Sequence, residues 1–298
     1  MNYKYYVSNP KEFAVKVVRT FLGFLPDKVY LQLLYYIYFG RFINFNNPKR
    51  FTEKLQWLKI YYRKPELHTM VDKIEAKHLA ASIIGQEHII PTLGIWDNFD
   101  DIVFSELPDR FVLKTNNGGG GTGVIVVKDK AKMDLAETKV KLERSKNSNV
   151  YKSLREWPYK GVKGCILAEQ YLEDDSGDLR DYKFYCFDGE VKYMLVASNR
   201  FTDHNFNYFD RDFNPLPITS SCGGQSNSLF TKPECFDEMI RLAEMLSAGH
   251  PHLRIDLFYT NAKIYFGEFT FFDSSGYDNN SSDEWDIKCG EWLNLPSL

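Results

Sequence analysis

The chain of 298 residues is about twice the length of an ordinary domain, so one large multipart domain or two coupled ones are expected. Its 44% apolar and 26% charged content excludes disordered, collagen-like and low-complexity classes, and its 16% aromatic share (23 Phe, 19 Tyr, 5 Trp) calls for an extensive core or for sugar-stacking surfaces. A formal net charge of −3 gives no case for a nucleic acid partner.

In chain order, the start is polar and tyrosine-rich, without the pattern of a secretion signal. From Lys11 to Arg63 the periodicity is helical: Phe13, Val17, Thr20 and Phe21 recur at three and four, with breaks at Pro26 and at Asn46-Asn47-Pro48. Residues 1–64 hold twelve Lys or Arg against Glu12, Asp27 and Glu53, so this part can face an anionic surface or simply be a solvated basic face. Its aromatic and basic residues fit either peripheral contact at a membrane interface or a helical hairpin packed on its own domain. Val29 to Phe39 is too short to span a bilayer. Five scattered cysteines (165, 186, 222, 235, 289), without metal-finger spacing, suit a reducing compartment such as the cytoplasm.

A helix is expected over Met70 to Ile84, closed by Gly85, with Lys73 and Lys77 on one face. Short extended pieces follow at Ile89 to Pro91 and Leu93 to Trp96. Strands at Phe111 to Lys114 and Val124 to Val127 then flank the run Asn116-Asn117-Gly118-Gly119-Gly120-Gly121-Thr122-Gly123. Five glycines in eight residues let backbone amides converge on an anion, which a phosphate cradle requires. The run contains Gly-x-Gly-x-x-Gly but enters a strand instead of a helix, so it is no dinucleotide fingerprint, and no Gly-Lys-Ser/Thr marks a Walker loop. The reading is a glycine loop at a hairpin tip, with Lys114 at the strand end presenting its ammonium to the same space.

After a charged helical stretch near Leu135 to Leu154 come a strand at Ile166 to Glu169 and a hairpin of Tyr182 to Phe187 with Val191 to Ala197, turned by Asp188-Gly189. A last hairpin pairs Arg254 to Tyr259 with Ile264 to Thr270. With a three-residue loop Asn261-Ala262-Lys263, Asp256 lies opposite Glu268, with Cβ atoms about 4.5–5.5 Å apart, and Arg254 opposite Thr270. Two carboxylates so close need a cation, and hard oxygen ligands select Mg²⁺ or Mn²⁺ with substrate phosphates completing the shell. A two-residue turn would shift the register by one and separate them. The six histidines lack metalloprotease spacing, and Cys222 in Ser220-Ser221-Cys222-Gly223-Gly224-Gln225 sits in a loop read as a substrate cover or, less readily, as a thiol nucleophile.

These pieces in this order resemble the ATP-grasp superfamily, and more narrowly the TupA-like ATP-grasp family of teichuronopeptide and capsular-polysaccharide biosynthesis. The likeness runs through Phe45 to Leu58, Asp72-Lys73, Phe111 to Asn116, Asp181 to Phe187 and Phe266 to Phe271. It implies an α+β ATP-grasp fold: a helical, aromatic-rich region over 1–68, a lid part with the glycine loop over 69–170, and a catalytic part over 171–298, the last two clamping ATP. By the same likeness Glu169 and the backbone at Gln170 and Leu172 contact adenine, while Lys73, Lys114 and the loop at Gly118, Gly119, Gly120 and Gly121 hold phosphates. Asp256 and Glu268 hold Mg²⁺, with Thr270 standing where many relatives have Asn, and Arg254 stabilises an oxyanion. The ribose-binding acid is one of Glu173, Asp174, Asp175 and Asp178. The implied reaction is amide formation through an acylphosphate, joining an amine or amino acid to a uronic acid of a surface polysaccharide, in the cytoplasm or at the inner face of the membrane. Rival readings are a kinase or glycosyltransferase acting on a glycan, and a non-catalytic glycan-binding module. A kinase would need the His-Arg-Asp and Asp-Phe-Gly motifs that the chain lacks.

Overall fold

The computed structural model describes residues 8–175, 177, 179–198, 205–218, 230–278 and 282–297. The chain forms two compact units. One comprises Met1–Lys64, Asn149–Lys160 and Phe272–Leu298, the other Pro65–Ser148 and Gly161–Phe271.

The first unit is helical. Its helices are α1 (Pro10–Phe21), α2 (Asp27–Phe39), α3 (Phe51–Tyr61), α7 (Val150–Leu154) and α9 (Asp283–Trp292), the first opened by a proline whose missing N–H costs nothing there. Helix α2 stops at Gly40 in the left-handed region (φ 68°). Glu53 accepts the Lys49 and Arg50 amides and so closes the start of α3. Buried side chains stitch the three chain segments together. Asp286 accepts from the Thr52 amide and hydroxyl, and the fully buried Lys59 ammonium donates to the carbonyls of Leu154 and Ser275 and to the Ser275 hydroxyl.

The second unit holds two antiparallel sheets. The four-stranded sheet has the order β1 (Thr92–Trp96), β4 (Ile166–Gln170), β2 (Phe111–Thr115), β3 (Val124–Val127). Phe111, Leu113, Val127, Leu142, Ile166 and Ala168 form its core, Leu142 coming from α6 (Leu135–Lys146). The five-stranded sheet has the order β7 (Asn205–Asp210), β6 (Glu190–Ser198), β5 (Asp181–Phe187), β8 (His252–Thr260), β9 (Lys263–Thr270). Helix α8 (Phe236–Ser247) buries Phe236, Met239, Ala243 and Leu246. Helices α4 (Glu66–Val71) and α5 (Lys73–Ile84) complete the unit.

Three expectations are corrected. The single helix over 70–84 is two, because Asp72 leaves helical geometry and its carboxylate caps the amides of Ile74 and Glu75. The stretch 135–154 is likewise broken, with α6 in one unit and α7 in the other. The last hairpin turns on two residues, Asn261 and Ala262, both at positive φ (51° and 56°), and Lys263 already belongs to β9. The slip this turn would cause is cancelled farther along. A bulge between Asp256 and Leu257 leaves Gly267 as the extra residue, so Leu257 pairs with Phe266 but Asp256 pairs with Glu268 and Arg254 with Thr270. A Cβ on Gly267 would lie 2.9 Å from the Asp256 carbonyl oxygen, so the bulge needs glycine. Among the described residues no helix is long and apolar enough to cross a membrane.

Candidate nucleotide and phosphate site

The site lies within the second unit, where the β2–β3 hairpin faces the β5–β8–β9 surface. Alternation along β2 sends Phe111 and Leu113 into the core and Lys114 to the opposite face. The Lys114 ammonium is 2.5 Å from Glu169 Oε2, and Lys77 from α5 is 2.8 Å from Glu169 Oε1. Burial opposes ionisation of Glu169, but Lys114 and Lys77 outweigh it and bring its carboxyl down to about 2. Glu169 is therefore a fixed anion that aims two lysines. Burial lowers the pKa of Lys77 despite that partner.

The glycine loop is anchored at its base. Asn116 donates to Asp72 Oδ2 (2.7 Å) and to the Lys163 carbonyl (2.9 Å), and accepts from the Cys165 amide (2.7 Å). The Lys73 ammonium donates to the Gly118 carbonyl at 2.6 Å. The glycines are needed for different reasons. Gly118 and Gly123 pack against the Thr115 and Ser145 hydroxyls, where a Cβ would come within 2.5 and 2.3 Å of Thr115 Oγ1, whereas Gly120 and Gly121 take positive φ (60° and 74°).

Across the five-stranded sheet, Lys183, Asp256 and Glu268 form one row on neighbouring strands. Asp256 is almost fully buried, and both its oxygens are engaged: Arg254 Nε donates to Oδ1 (2.7 Å), Arg254 Nη2 to Oδ2 (2.8 Å), and Lys183 also to Oδ2. Burial alone would raise the Asp256 pKa, but Arg254 and Lys183 hold it below the usual carboxylate range. The Lys183 ammonium also pairs with Asp181 Oδ2 at 2.5 Å, and these carboxylates overcome burial to keep it charged. Glu268 is the open member of the pair, 38% exposed, with Lys73 at 3.7 Å and Arg254 Nη2 at 3.5 Å. Thr270 lies two residues on, opposite Arg254.

One cleft is lined by Lys73, Lys114, Gly118, Gly121, Asp256 and Glu268, so the loop, both lysines and both acids meet. Lys114, Val124 and Phe258 continue into an adjoining, more apolar pocket with Val112, Gln170 and Leu172. Gly119 and Gly120 are in the loop but do not line the cleft. The Gln170 N–H is donated to the Pro91 carbonyl (3.0 Å), so of its backbone groups only the carbonyl can serve a ligand. Glu169 aims lysines and is buried, although it also lines the apolar pocket. Of the ribose candidates, Glu173 pairs with Arg110 at 2.5 Å, Asp174 accepts the Arg180 amide, and Asp175 is exposed. Asp178 and Cys222 lie outside the described residues.

The donors fit a hard divalent cation in kind: two carboxylates and a hydroxyl on one sheet face. Among the described residues no group of three or more His, Cys, Asp or Glu forms a metal cage, so substrate phosphates would have to supply the remaining oxygens. Sequence reasoning missed the roles of Lys183, Asp181 and Asn116. The signal for Lys183 was available: a lysine within Tyr182 to Phe187, a stretch otherwise aromatic or apolar, needs a buried counter-charge, and Asp181 stands two residues before it.

Residues 53–294 match the family described as TupA-like ATPgrasp. The chain belongs to that family. Its fold is accordingly the α+β ATP-grasp fold. Solved structures similar to this TupA-like chain include D-alanine–D-alanine ligase from Bacillus anthracis (15% identity, TM-score 0.41, covering 75% of this chain and 63% of that one). The enzyme of the same name from Helicobacter pylori shows 15% identity and a TM-score of 0.42, covering 82% and 69%. An ADP complex of N5-carboxyaminoimidazole ribonucleotide synthetase shows 17% identity and a TM-score of 0.44, covering 74% and 50%. The TupA-like chain thus spans less than two thirds of the Bacillus anthracis ligase. No curated protein matches it.

Proposed function

We propose that this TupA-like protein is an ATP-dependent carboxylate–amine ligase working through an acylphosphate. The observation that carries this reading is the single cleft shared by Lys73, Lys114, the glycine loop, Asp256 and Glu268. The lid is proposed within residues 69–170 and the catalytic part within residues 171–298. Adenine occupies the apolar pocket, bonded to the Gln170 carbonyl and the Leu172 backbone, and the phosphates run past Lys114 towards Lys73 and the loop. Glu268 and Asp256, with Thr270 beside them, would hold Mg²⁺, which offsets charge on the phosphates.

A substrate carboxylate oxygen attacks the γ-phosphorus and ADP leaves. An amine nitrogen then attacks the acyl carbon, its proton is lost, and phosphate departs with the electron pair of the broken C–O bond. Lys73 and Lys114 offset charge on the transferring phosphoryl group, Arg254 stabilises the tetrahedral oxyanion, and the closed loop keeps water from the acylphosphate. No protein nucleophile is needed. The substrates we assign are a uronic acid of an envelope polysaccharide and an amino acid or amine, in the cytoplasm. Cys165, Cys186 and Cys235 form no disulfide, which supports a reducing setting.

The test is to incubate protein, Mg-ATP, uronates and amino acids in pairs, following ADP and phosphate. Turnover requires both co-substrates and is lost in Asp256→Asn and Glu268→Gln that still fold. A phosphorylated sugar formed without amine would make the protein a kinase, AMP with pyrophosphate would indicate adenylate chemistry, and glycan binding without ATP binding would leave a binding module.

A further inference from the structure

The first unit carries an apolar surface that its own core does not use. Val29, Leu33 and Tyr36 recur at four and three along α2 and share one face, while Tyr30, Leu31, Leu34 and Tyr35 fill the core from the other. Val29 and Tyr36 are about half exposed, at 46% and 49%, and Phe42, 63% exposed, stacks on Tyr36 with ring centroids 4.8 Å apart. At the opposite end of α2, the turn from α1 exposes Phe21 (69%) and Phe24 (80%). Single exposed apolar residues are ordinary, but a stripe at helical spacing with three aromatics at its ends is a surface that water disfavours.

We propose that this face is a docking surface for an anionic lipid bilayer, lying on it and not crossing it. Charge selects the occupant. Residues 1–64 hold twelve cations against three acids, and Arg19 and Lys28 stand exposed beside the turn. Asp283 of α9 pairs with Arg41 and Arg50, and Lys59 is buried, so the charge open to a partner is that of the remaining basic residues, Arg19 and Lys28 at the turn among them. A second copy would set the same excess positive charge against itself, whereas an acidic headgroup layer offers opposite charge above and hydrocarbon below. Aromatic rings belong at that boundary, with basic side chains reaching the headgroups. Helix α2, with 13 residues, is about 20 Å long, enough to lie in the interface and too short to span it. The proposal uses no residue of the cleft and stands whether or not the ligase reading holds.

The test is flotation of the full chain with vesicles of phosphatidylcholine containing about 30 mol% phosphatidylglycerol, against phosphatidylcholine alone. Binding to the anionic vesicles is expected, weakened about tenfold by Phe24→Ser with Phe42→Ser and weakened again by about 0.5 M salt. Circular dichroism of the double variant checks its fold. A separate Phe24→Trp variant, whose fluorescence brominated lipid should quench, reports insertion without removing the aromatic group. Failure to bind anionic vesicles, equal binding by the double variant, or indole fluorescence that brominated lipid leaves unchanged would each overturn the proposal. So would a dimer that the double variant dissociates, because the face would then belong to a second copy.

Discussion

Glu169 shows how one buried carboxylate can organise a cleft. It is held ionised by two lysines that it in turn aims, so removing its charge affects all three groups. Its folded pKa, about 2, lies below the unfolded value near 4.3, so its contribution is fully present above that value and is lost as pH falls through the folded one. The difference corresponds to roughly 3 kcal/mol. Urea melts at pH 7 and pH 3 should show a larger loss for the wild type than for Glu169→Gln; parallel losses would mean that the pairing contributes little. At this scale the sequence was partly legible. Lys114, Asp256 and Glu268 stood out as charges beside glycine or aromatic runs and Lys73 only through the family resemblance, whereas the pairings of Lys77 with Glu169 and of Lys183 with Asp256 depended on how distant segments meet, which no local pattern records.

At the level of elements, the β5–β6 hairpin was readable because Asp188-Gly189 supplies the two positive φ angles its turn requires (50° and 80°). The turn and bulge of the last hairpin were not, since Ala262 at φ 56° is a poor turn signal and the bulge at Gly267 has no marker beyond glycine itself. The right pairing of Asp256 with Glu268 was thus expected for the wrong turn. The bulge makes Gly267→Val informative. The new side chain meets the Asp256 carbonyl and the Phe258 ring, so stability should fall by about 1–3 kcal/mol and Mg-ADP affinity should fall with it as Glu268 is displaced. Unchanged nucleotide affinity in a folded variant would show that the register does not matter to the site. Asp72 was similarly read as a helix residue, although one of its carboxylate oxygens caps the amides of Ile74 and Glu75 and the other accepts from Asn116.

For the whole molecule, the least legible feature was the discontinuous first unit. Nothing near Thr52 or Lys59 announces partners at Asp286 and Ser275, more than 200 positions away in sequence. Deleting residues 272–298 should leave Lys59 and Thr52 without these buried partners, and limited proteolysis should then cut within residues 10–64 where the intact chain resists. Equal resistance would mean that the helices hold together without the C-terminal segment. In the second unit the hairpins β2–β3, β5–β6 and β8–β9 were anticipated, but β7 and the pairings β1–β4, β2–β4 and β5–β8, which join strands distant in sequence, were not.

The central claim is that the early loop and the late acids grip one nucleotide. Calorimetric titration of Mg-ATP analogue into wild type, Lys114→Met, Glu268→Gln and the double variant tests it most directly. Each single change should weaken binding about tenfold or more, with the double variant losing less than the product because both groups act on the same triphosphate. Wild-type affinity in the single variants, or no binding by the folded wild-type protein, would contradict it.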